Sequence, residues 1–342
     1  MKSLKVAKKN AESARKKLIS FNYFDFNRKT GVSGNFVYFP LKDGFSKSKL
    51  MGLGAISAKK LSTLKSKPKS MSELLSKKLS KKELDILKTS FDIFGDVIIV
   101  EIPLQLVKKE KEIGGALLKL YPRVRAIFKK SGAVSGVTRA RPMKKIAGTG
   151  SAEATYKEHG CTLKFDISKV FFTPRLSTER GIVAGKVKAG ETVLCMFAGC
   201  GPFAILIAKK QPNIKEVHAV DINPDAFRYL QENIRINKVS EKVKPYCGDA
   251  KKLISSKFTG IADRVIMNLP KTSVNFLSDA LKALKPEGGV IHYYTFKATK
   301  EEVQKEIKQR LAGKKHKILA IRNVKPYAPR EYCFAADIKI YK

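Results

Sequence analysis

From about residue 180 onward, short apolar runs alternate with segments whose apolar positions recur at helical spacing. The runs "ETVLCMFAG", "EVHAVDIN", "VKPYCGD", "DRVIMNLP" and "GGVIHYYTF" read as strands. Between them, "PFAILIAKKQ", "PDAFRYLQENIRINK", "VNFLSDALKAL" and "KEEVQKEIKQRL" have helical period, and a short helix is expected after "VKPYCGD". Two further strands, "KILAIRNVK" and "EYCFAADIKIY", follow with no helix between them. This alternation predicts an α/β fold with a doubly wound, mostly parallel sheet and an antiparallel pair at its edge.

Upstream the pattern is looser. "MSELLSKKLSKKELDILKTS" is helical in period, "DVIIVEIP" is a short strand, and "KEIGGALLKLYP" is another helix before the basic "RVRAIFKKSG". These elements predict a middle α/β domain. Before them, "NFVYFPLK" alternates like a strand, and the Ser/Lys-rich "LSTLKSKPKSMS" reads as a linker ending near residue 70. The expected division is a small basic domain over 1–70, the middle domain over 71–165 and the doubly wound domain over 166–342.

Charge changes the picture. The 342 residues carry 69 Lys+Arg against 30 Asp+Glu, a net of +39, and the hydrophobic content of 43% fits a globular protein. Such an excess points to a polyanionic partner, because basic surfaces attract phosphates and release their counterions. Residues 1–70 are the most basic part, with 17 Lys/Arg against 3 Asp/Glu, as expected of a module that touches phosphate backbone. The cysteines at 161, 195, 200, 247 and 333 form no C-x-x-C pair and no metal-ligand spacing with the histidines at 159, 218, 292 and 316. They read as reduced thiols of a cytoplasmic protein without a metal, and the histidines as structural or surface residues. The uncharged run 192–208 has Gly-Cys-Gly-Pro at its centre and two lysines after it, which argues against a membrane span. The basic N-terminus has no apolar region behind it and does not read as a secretory signal.

Candidate chemistry gathers at the strand ends. Gly199 and Gly201 follow the first strand of the regular region and Pro202 opens its helix, so backbone there could approach a ligand closely. Asp221 ends the second strand, where a carboxylate could accept from both ribose hydroxyls, and Asp249 ends the third, within reach of an adenine amino group. The third glycine of a dinucleotide fingerprint is missing from "GCGPFA", which favours S-adenosylmethionine, a nucleoside ligand without phosphates, over NAD. The fourth strand ends "NLPK", a polar-Pro segment suited to the edge of a planar base; a plain proline-terminated strand is the alternative.

The stretches "FFTPRLSTER", "MFAGCGPF", "AVDINPDAF", "RVIMNLPK", "GGVIHYYT" and "YAPREY", in this order, resemble the archaeal/eukaryotic tRNA (guanine-37-N1)-methyltransferase family. The resemblance is dense from about residue 139 onward and looser before it. It implies a Rossmann-like class I methyltransferase domain, and transfer of a methyl group from S-adenosylmethionine to nitrogen 1 of guanosine 37 of tRNA. It implies a cofactor set of Phe197, Ala198, Gly199, Gly201, Pro202 and Phe203 around the turn, then Asp221, Ile222, Asp249, Ala250 and Asn268. Glu179 would be the base that takes the N1 proton. Arg139 would steady charge developing on oxygen 6, and Asn268 would hold the guanine edge. Arg175 and Arg180 would grip flanking phosphates, with Pro270, Lys271, Tyr327 and Arg330 at the same mouth. From the residues alone, Ser177 could simply cap a helix with Glu179 in its first turn, and Arg139 could be a phosphate contact.

The family pattern V-D-M-F-A-G carries an acid where this chain has Cys195, so Cys195→Asp is expected to leave activity and tighten cofactor binding. A monomer acting on tRNA, with no membrane partner, completes the expectation. The competing readings are a wyosine-pathway enzyme, by carbon-7 methylation or aminocarboxypropyl transfer, and a tRNA-binding protein without catalysis.

Overall fold

A computed structural model describes residues 2–63, 70–132, 136 and 141–341. Two compact units make up the chain, Met1–Lys69 and Ser70–Lys342. In the first, strands β1 (Ser3–Ala7), β2 (Gly31–Ser33), β3 (Phe36–Pro40) and β4 (Ala55–Ser57) form an antiparallel sheet in the order β2-β3-β1-β4. Alternation along β1 turns Leu4 and Val6 inward, where they join Phe39 and bury Ala14 and Leu18 of the helix Ala11–Ser20. Lys5 faces the other way, its ammonium 4.0 Å from the Phe36 ring centroid, and Lys59 lies equally close over Tyr38.

The second unit opens with two short helices, Met71–Leu75 and Lys81–Asp85, where the sequence suggests one helical stretch. A reciprocal capping box explains the break. Ser80 accepts from the Glu83 amide while the Glu83 carboxylate accepts from the Ser80 amide, so a new helix starts there. Strands β5 (Phe91–Phe94), β6 (Val97–Val100), β7 (Ala126–Lys130) and β8 (Met143–Gly148) pair in chain order, with β6 and β7 parallel. The helix Glu110–Leu120 covers one face through Ile113 and Leu117 against Ile98, Val100 and Ile127. On the other face Phe94, Val97 and Ile99 share a core with Leu163 and Phe165 of a hairpin, β9 (Glu153–Glu158) and β10 (Cys161–Asp166).

Nothing in the sequence reading anticipated that hairpin. Its turn is His159-Gly160, both at positive φ (45° and 75°), where a histidine takes the place of the usual Asn or Asp. It is fastened to the helix Pro224–Ile236 by two asparagine side chains rather than by a neighbouring strand. The Asn233 amide accepts from Lys164 N at 2.7 Å and donates to Lys164 O at 2.9 Å, and Asn237 makes the same pair with Thr162. Asn233 also donates to Cys200 O, at 3.0 Å, which fastens the hairpin to the glycine turn.

The large sheet contains β11 (Thr192–Cys195), β12 (Glu216–Asp221), β13 (Val243–Cys247), β14 (Arg264–Met267), β15 (Gly288–Lys297), β16 (His316–Ala328) and β17 (Glu331–Tyr341), in the order β13-β12-β11-β14-β15-β17-β16. The first five are parallel, β17 runs antiparallel to β15, and β16 antiparallel to β17. This is the doubly wound sheet with an antiparallel edge that the pattern predicts. Among the described residues no helix is long and apolar enough to cross a membrane, and no cluster of side chains is arranged to hold a metal ion.

Candidate active site

A cavity of about 1000 Å³, counting its open mouth, lies at the carboxyl ends of β11, β12, β13 and β14, where open parallel sheets bind ligands. The glycine turn forms one wall. Gly199 lies at φ 57°, and a side chain there would meet nothing nearer than Phe171 O at 3.8 Å, so the ligand side is open. Gly201 has another task. At φ 93° it caps the helix Pro202–Lys210, and an added Cβ would lie 2.6 Å from Leu230 and 2.9 Å from Ile205. Of the expected cofactor set, Gly201 alone does not line the cavity; it sets the turn by close packing.

Asp221 ties the turn to β12. Its Oδ2 accepts from Gly199 N at 2.6 Å and Oδ1 from Asn223 N at 2.9 Å. A carboxylate at this strand end is the acceptor chemistry that ribose hydroxyls require. Asp249 caps the short helix after β13 by accepting from Lys251 N at 2.7 Å and lines the cavity beside Ala250. Met196, Phe197, Ile222 and Phe276 supply apolar surface, with Phe197 and Phe276 edge to face at 4.9 Å. Two carboxylates for hydroxyl and amino groups, an apolar slot, and a glycine turn without a basic phosphate clamp fit S-adenosylmethionine.

Asn268 and Leu269 close the cavity at the end of β14. Ser273 holds that turn, its hydroxyl donating to Met267 O and Leu269 O at 2.9 Å each. Pro270 is half-buried and Lys271 exposed. The opposite wall is the segment Val170, Phe171, Phe172 and Thr173 before helix Ser177–Lys186. A second, smaller cavity shares Val170, Phe171 and Phe172 and is completed by Asp92, Phe94 and Arg141.

The arginines divide. Arg175 is half-exposed and bonded through Nε to Asp92 at 3.0 Å, linking β5 to the cavity mouth. Arg180 does not reach solvent, which corrects its expected phosphate role. It is 1% exposed, forked onto Glu158 at 2.5 and 2.7 Å, and donates to Thr173 O. Its work is to brace hairpin, cavity wall and helix together. Ser177 does not cap the helix; its hydroxyl and its carbonyl both meet His159. Arg139 lies outside the described residues.

Glu179 stands one residue from Arg180, which lines the cavity, but is itself turned toward the sheet and 3% exposed. Oε1 accepts from Tyr294 at 3.0 Å and Arg322 Nη2 at 2.7 Å, and Oε2 from Arg322 Nε at 3.0 Å. Arg322 also donates to Asp337, which meets Lys186 and His292 Nδ1; His292 Nε2 accepts from Arg264, forked onto Glu191. The sheet register explains this chain of charges. Tyr294 and Arg322 both lie opposite Ala335 on β17, whose small side chain leaves them room to converge. Burial works against the Asp337 charge, yet bonds from His292 and Arg322 hold its carboxyl far below the ordinary range. Burial, opposed by Asp337, lowers His292. Burial and then the Glu179 charge push the Tyr294 hydroxyl well up, so it stays a donor.

Tyr327 and Arg330 occupy the tip of the β16–β17 hairpin, beyond the carboxyl end of β15. Tyr327 stacks on Phe296 at 3.7 Å, and Arg330 takes positive φ (59°) in the turn. Cys195 departs from expectation. It is 2% exposed within the apolar core, off the cavity wall, and burial pushes its thiol up to about 12. An aspartate there would carry an unpaired charge into the core, so lost stability replaces the expected gain in cofactor affinity. Of the other thiols, Cys161, Cys200 and Cys333 are buried and Cys247 is exposed.

Fold and site together define a class I, S-adenosylmethionine-dependent methyltransferase. Residues 154–320 match the TRM5/TYW2 methyltransferase domain, 71–151 the TYW2 N-terminal domain and 3–49 the tRNA methyltransferase 5 N-terminal domain. The chain is 38% identical to tRNA (guanine(37)-N(1))-methyltransferase Trm5b of Pyrococcus abyssi, over 99% of this chain and 98% of that one. It is 36% identical to tRNA 4-demethylwyosine(37)-methyltransferase Taw21 of Saccharolobus solfataricus, over 72% of this chain and 92% of the relative. A solved complex of aTrm5 and tRNALeu superposes with a TM-score of 0.83 at 36% identity, covering 99% of each chain. The chain belongs to the Trm5 family of tRNA (guanine-37-N1)-methyltransferases.

Proposed function

We propose that this protein transfers a methyl group from S-adenosylmethionine to nitrogen 1 of guanosine 37 in tRNA. The observation that carries the reading is the sharing of one cavity by the nucleoside-type cofactor wall (Gly199, Asp221, Asp249) and the base-edge segment at Asn268. When bound, the cofactor supplies an electrophilic methyl group on a sulfonium. Asp221 would accept from its ribose and Asp249 from its adenine, while Asn268 reads the guanine edge. The target base must leave the anticodon-loop stack to enter. Nitrogen 1 carries a proton at neutral pH, so a base is required. Glu179 takes that role once it turns from Arg322 toward the cavity, with Arg139 stabilising charge on oxygen 6.

Arg175, Pro270, Lys271, Tyr327 and Arg330 would line the path of the tRNA. In the unit Met1–Lys69, the sheet face bearing Lys5, Phe36, Tyr38 and Lys59 suits phosphate and sugar contacts. A three-part division, with breaks at about residue 70 and just before the β9–β10 hairpin instead of at 165, a monomeric state and a cytoplasmic location belong to the same proposal. The 36% identity to a 4-demethylwyosine methyltransferase favours one second reading, methylation of the tricyclic base as an additional activity.

Nucleoside mass spectrometry on an unmodified tRNA transcript incubated with the protein and S-adenosylmethionine tests both. The expected product is 1-methylguanosine, absent when guanosine 37 is replaced by adenosine and lost in Glu179→Gln. No product on that transcript, with a mass gain on tRNA carrying the tricyclic precursor, would overturn the first reading in favour of the second.

A further inference from the structure

The charge chain beneath helix Ser177–Lys186 has one member shared between two carboxylates. Arg322 gives Nε and Nη2 to Glu179, and Nη1 and Nη2 to Asp337 at 2.6 and 2.9 Å. Asp337 is further held by Lys186 and by His292 Nδ1 at 2.7 Å. Resting on the reading of Glu179 as the proton acceptor, we propose that Arg322 is a positioning residue for methyl transfer. It stores Glu179 as a carboxylate against the sheet and releases it toward the cavity without being left unpaired itself.

The geometry carries this in three ways. Glu179 sits in the first turn of its helix, next to Arg180 and three residues after Leu176, both of which line the cavity, so a side-chain rotation separates storage from use. Among the described residues its own partners are Tyr294 on β15 and Arg322 on β16. The other charged groups nearby are Asp337 on β17, Lys186 on the same helix and His292 on β15, and all of these stay bonded to one another when Glu179 leaves. Arg180, its neighbour, is committed to Glu158. Departure of Glu179 therefore strips Arg322 of one carboxylate and leaves it the second, avoiding the isolated buried cation that makes breaking most buried pairs costly.

In the reaction the methyl–sulfur bond breaks with its electron pair remaining on sulfur, a carbon–nitrogen bond forms at nitrogen 1, and the N1 proton passes to Glu179. The carboxyl group then turns back to the Arg322 guanidinium. The proton is lost to water, and the carboxylate is restored for the next turnover.

The test is single-turnover methyl transfer to unmodified tRNA for the wild-type protein, Arg322→Met, Arg322→Lys and Glu179→Gln, with dissociation constants for cofactor and tRNA measured alongside. In Arg322→Met the carboxylate keeps one hydroxyl as its buried partner, so the single-turnover rate falls about tenfold or more while cofactor and tRNA still bind. Arg322→Lys retains charge without the fork and loses less of the rate; it carries the test if the methionine variant fails to fold. Both dissociation constants stay within about twofold, a range worth under half a kcal/mol. An unchanged rate, or a fall in rate with a parallel loss of cofactor or tRNA binding, would make Arg322 merely structural and overturn the proposal. Wild-type rates in Glu179→Gln would instead remove the base assignment, and the proposal with it.

Discussion

The cofactor edge and the charge chain under helix Ser177–Lys186 lie in the same unit but are built on opposite plans. At the edge, chemistry comes from short local stretches: a glycine turn, then single aspartates at the ends of β12 and β13. In the charge chain, Glu179 meets an arginine 143 residues away and Arg264 meets a glutamate 73 residues away. The first plan uses backbone shape, so a few residues suffice to signal it. The second uses strand register and a small residue, Ala335, to bring distant charges together. Local motifs disclose where a ligand sits; they say little about what holds the reacting groups in place.

The contrast can be broken most severely at Arg180. Arg180→Ala leaves Glu158 buried without its partner and should cost about 4 kcal/mol in denaturant unfolding. A loss below ~1 kcal/mol would mean that the pair is not the brace described. Cys195→Asp comes next, with a loss of about 3 kcal/mol expected from an uncompensated core carboxylate. Tighter cofactor binding in calorimetry with unchanged stability would restore the family pattern's acid to a cofactor role.

Acid titration probes the chain itself. Burial lowers His292 from 6.5 in the folded state, so below that pH the unfolded chain takes up a proton that the folded one refuses. Stability should then fall by ~1.4 kcal/mol per pH unit as pH drops. His218, also lowered by burial, adds a similar share, and Asp337, far below 3.8 when folded, extends the loss into stronger acid. His292→Gln should flatten the slope just below 6.5; an unchanged slope would assign the whole effect to other groups.

The smallest effect sharpens the cofactor edge. Gly199→Ala should cost only ~1 kcal/mol of stability from its positive φ, yet weaken S-adenosylmethionine about tenfold, since its methyl group points at ligand space. Gly201→Ala should do the reverse, because its methyl group meets Leu230 and Ile205. Equal behaviour of the two variants would erase the division of labour between the glycines.

The doubly wound order and its antiparallel edge were legible because β11, β12, β14 and β15 are largely apolar runs set among segments of helical period. The place of Asp221, Asp249 and Asn268 on the cavity wall was legible for the same reason, since a strand end is where such sheets bind ligands. The β9–β10 hairpin was not, because its turn is His-Gly and one face of its strands is wholly polar, with Glu153, Thr155, Lys157, Thr162, Lys164 and Asp166. Arg180 was misread because sequence cannot tell a solvent-facing guanidinium from one committed to Glu158. Polar residues inside apolar strands, His292 in "GGVIHYYTF" and Asp337 in "FAADIKI", were the available sign of the buried charges.

Asn233 carries a last consequence. Its single amide joins Lys164 of the hairpin to the Cys200 carbonyl of the glycine turn, acting as donor and acceptor at once. Neither leucine nor aspartate can imitate both. The catalytic sheet is therefore not a portable cassette that starts where its own strands start. A fragment cut at residue 166 would strand this amide and that of Asn237, and would enter the cofactor search with its glycine turn unsupported. A fragment that keeps its glycine turn braced begins with the hairpin.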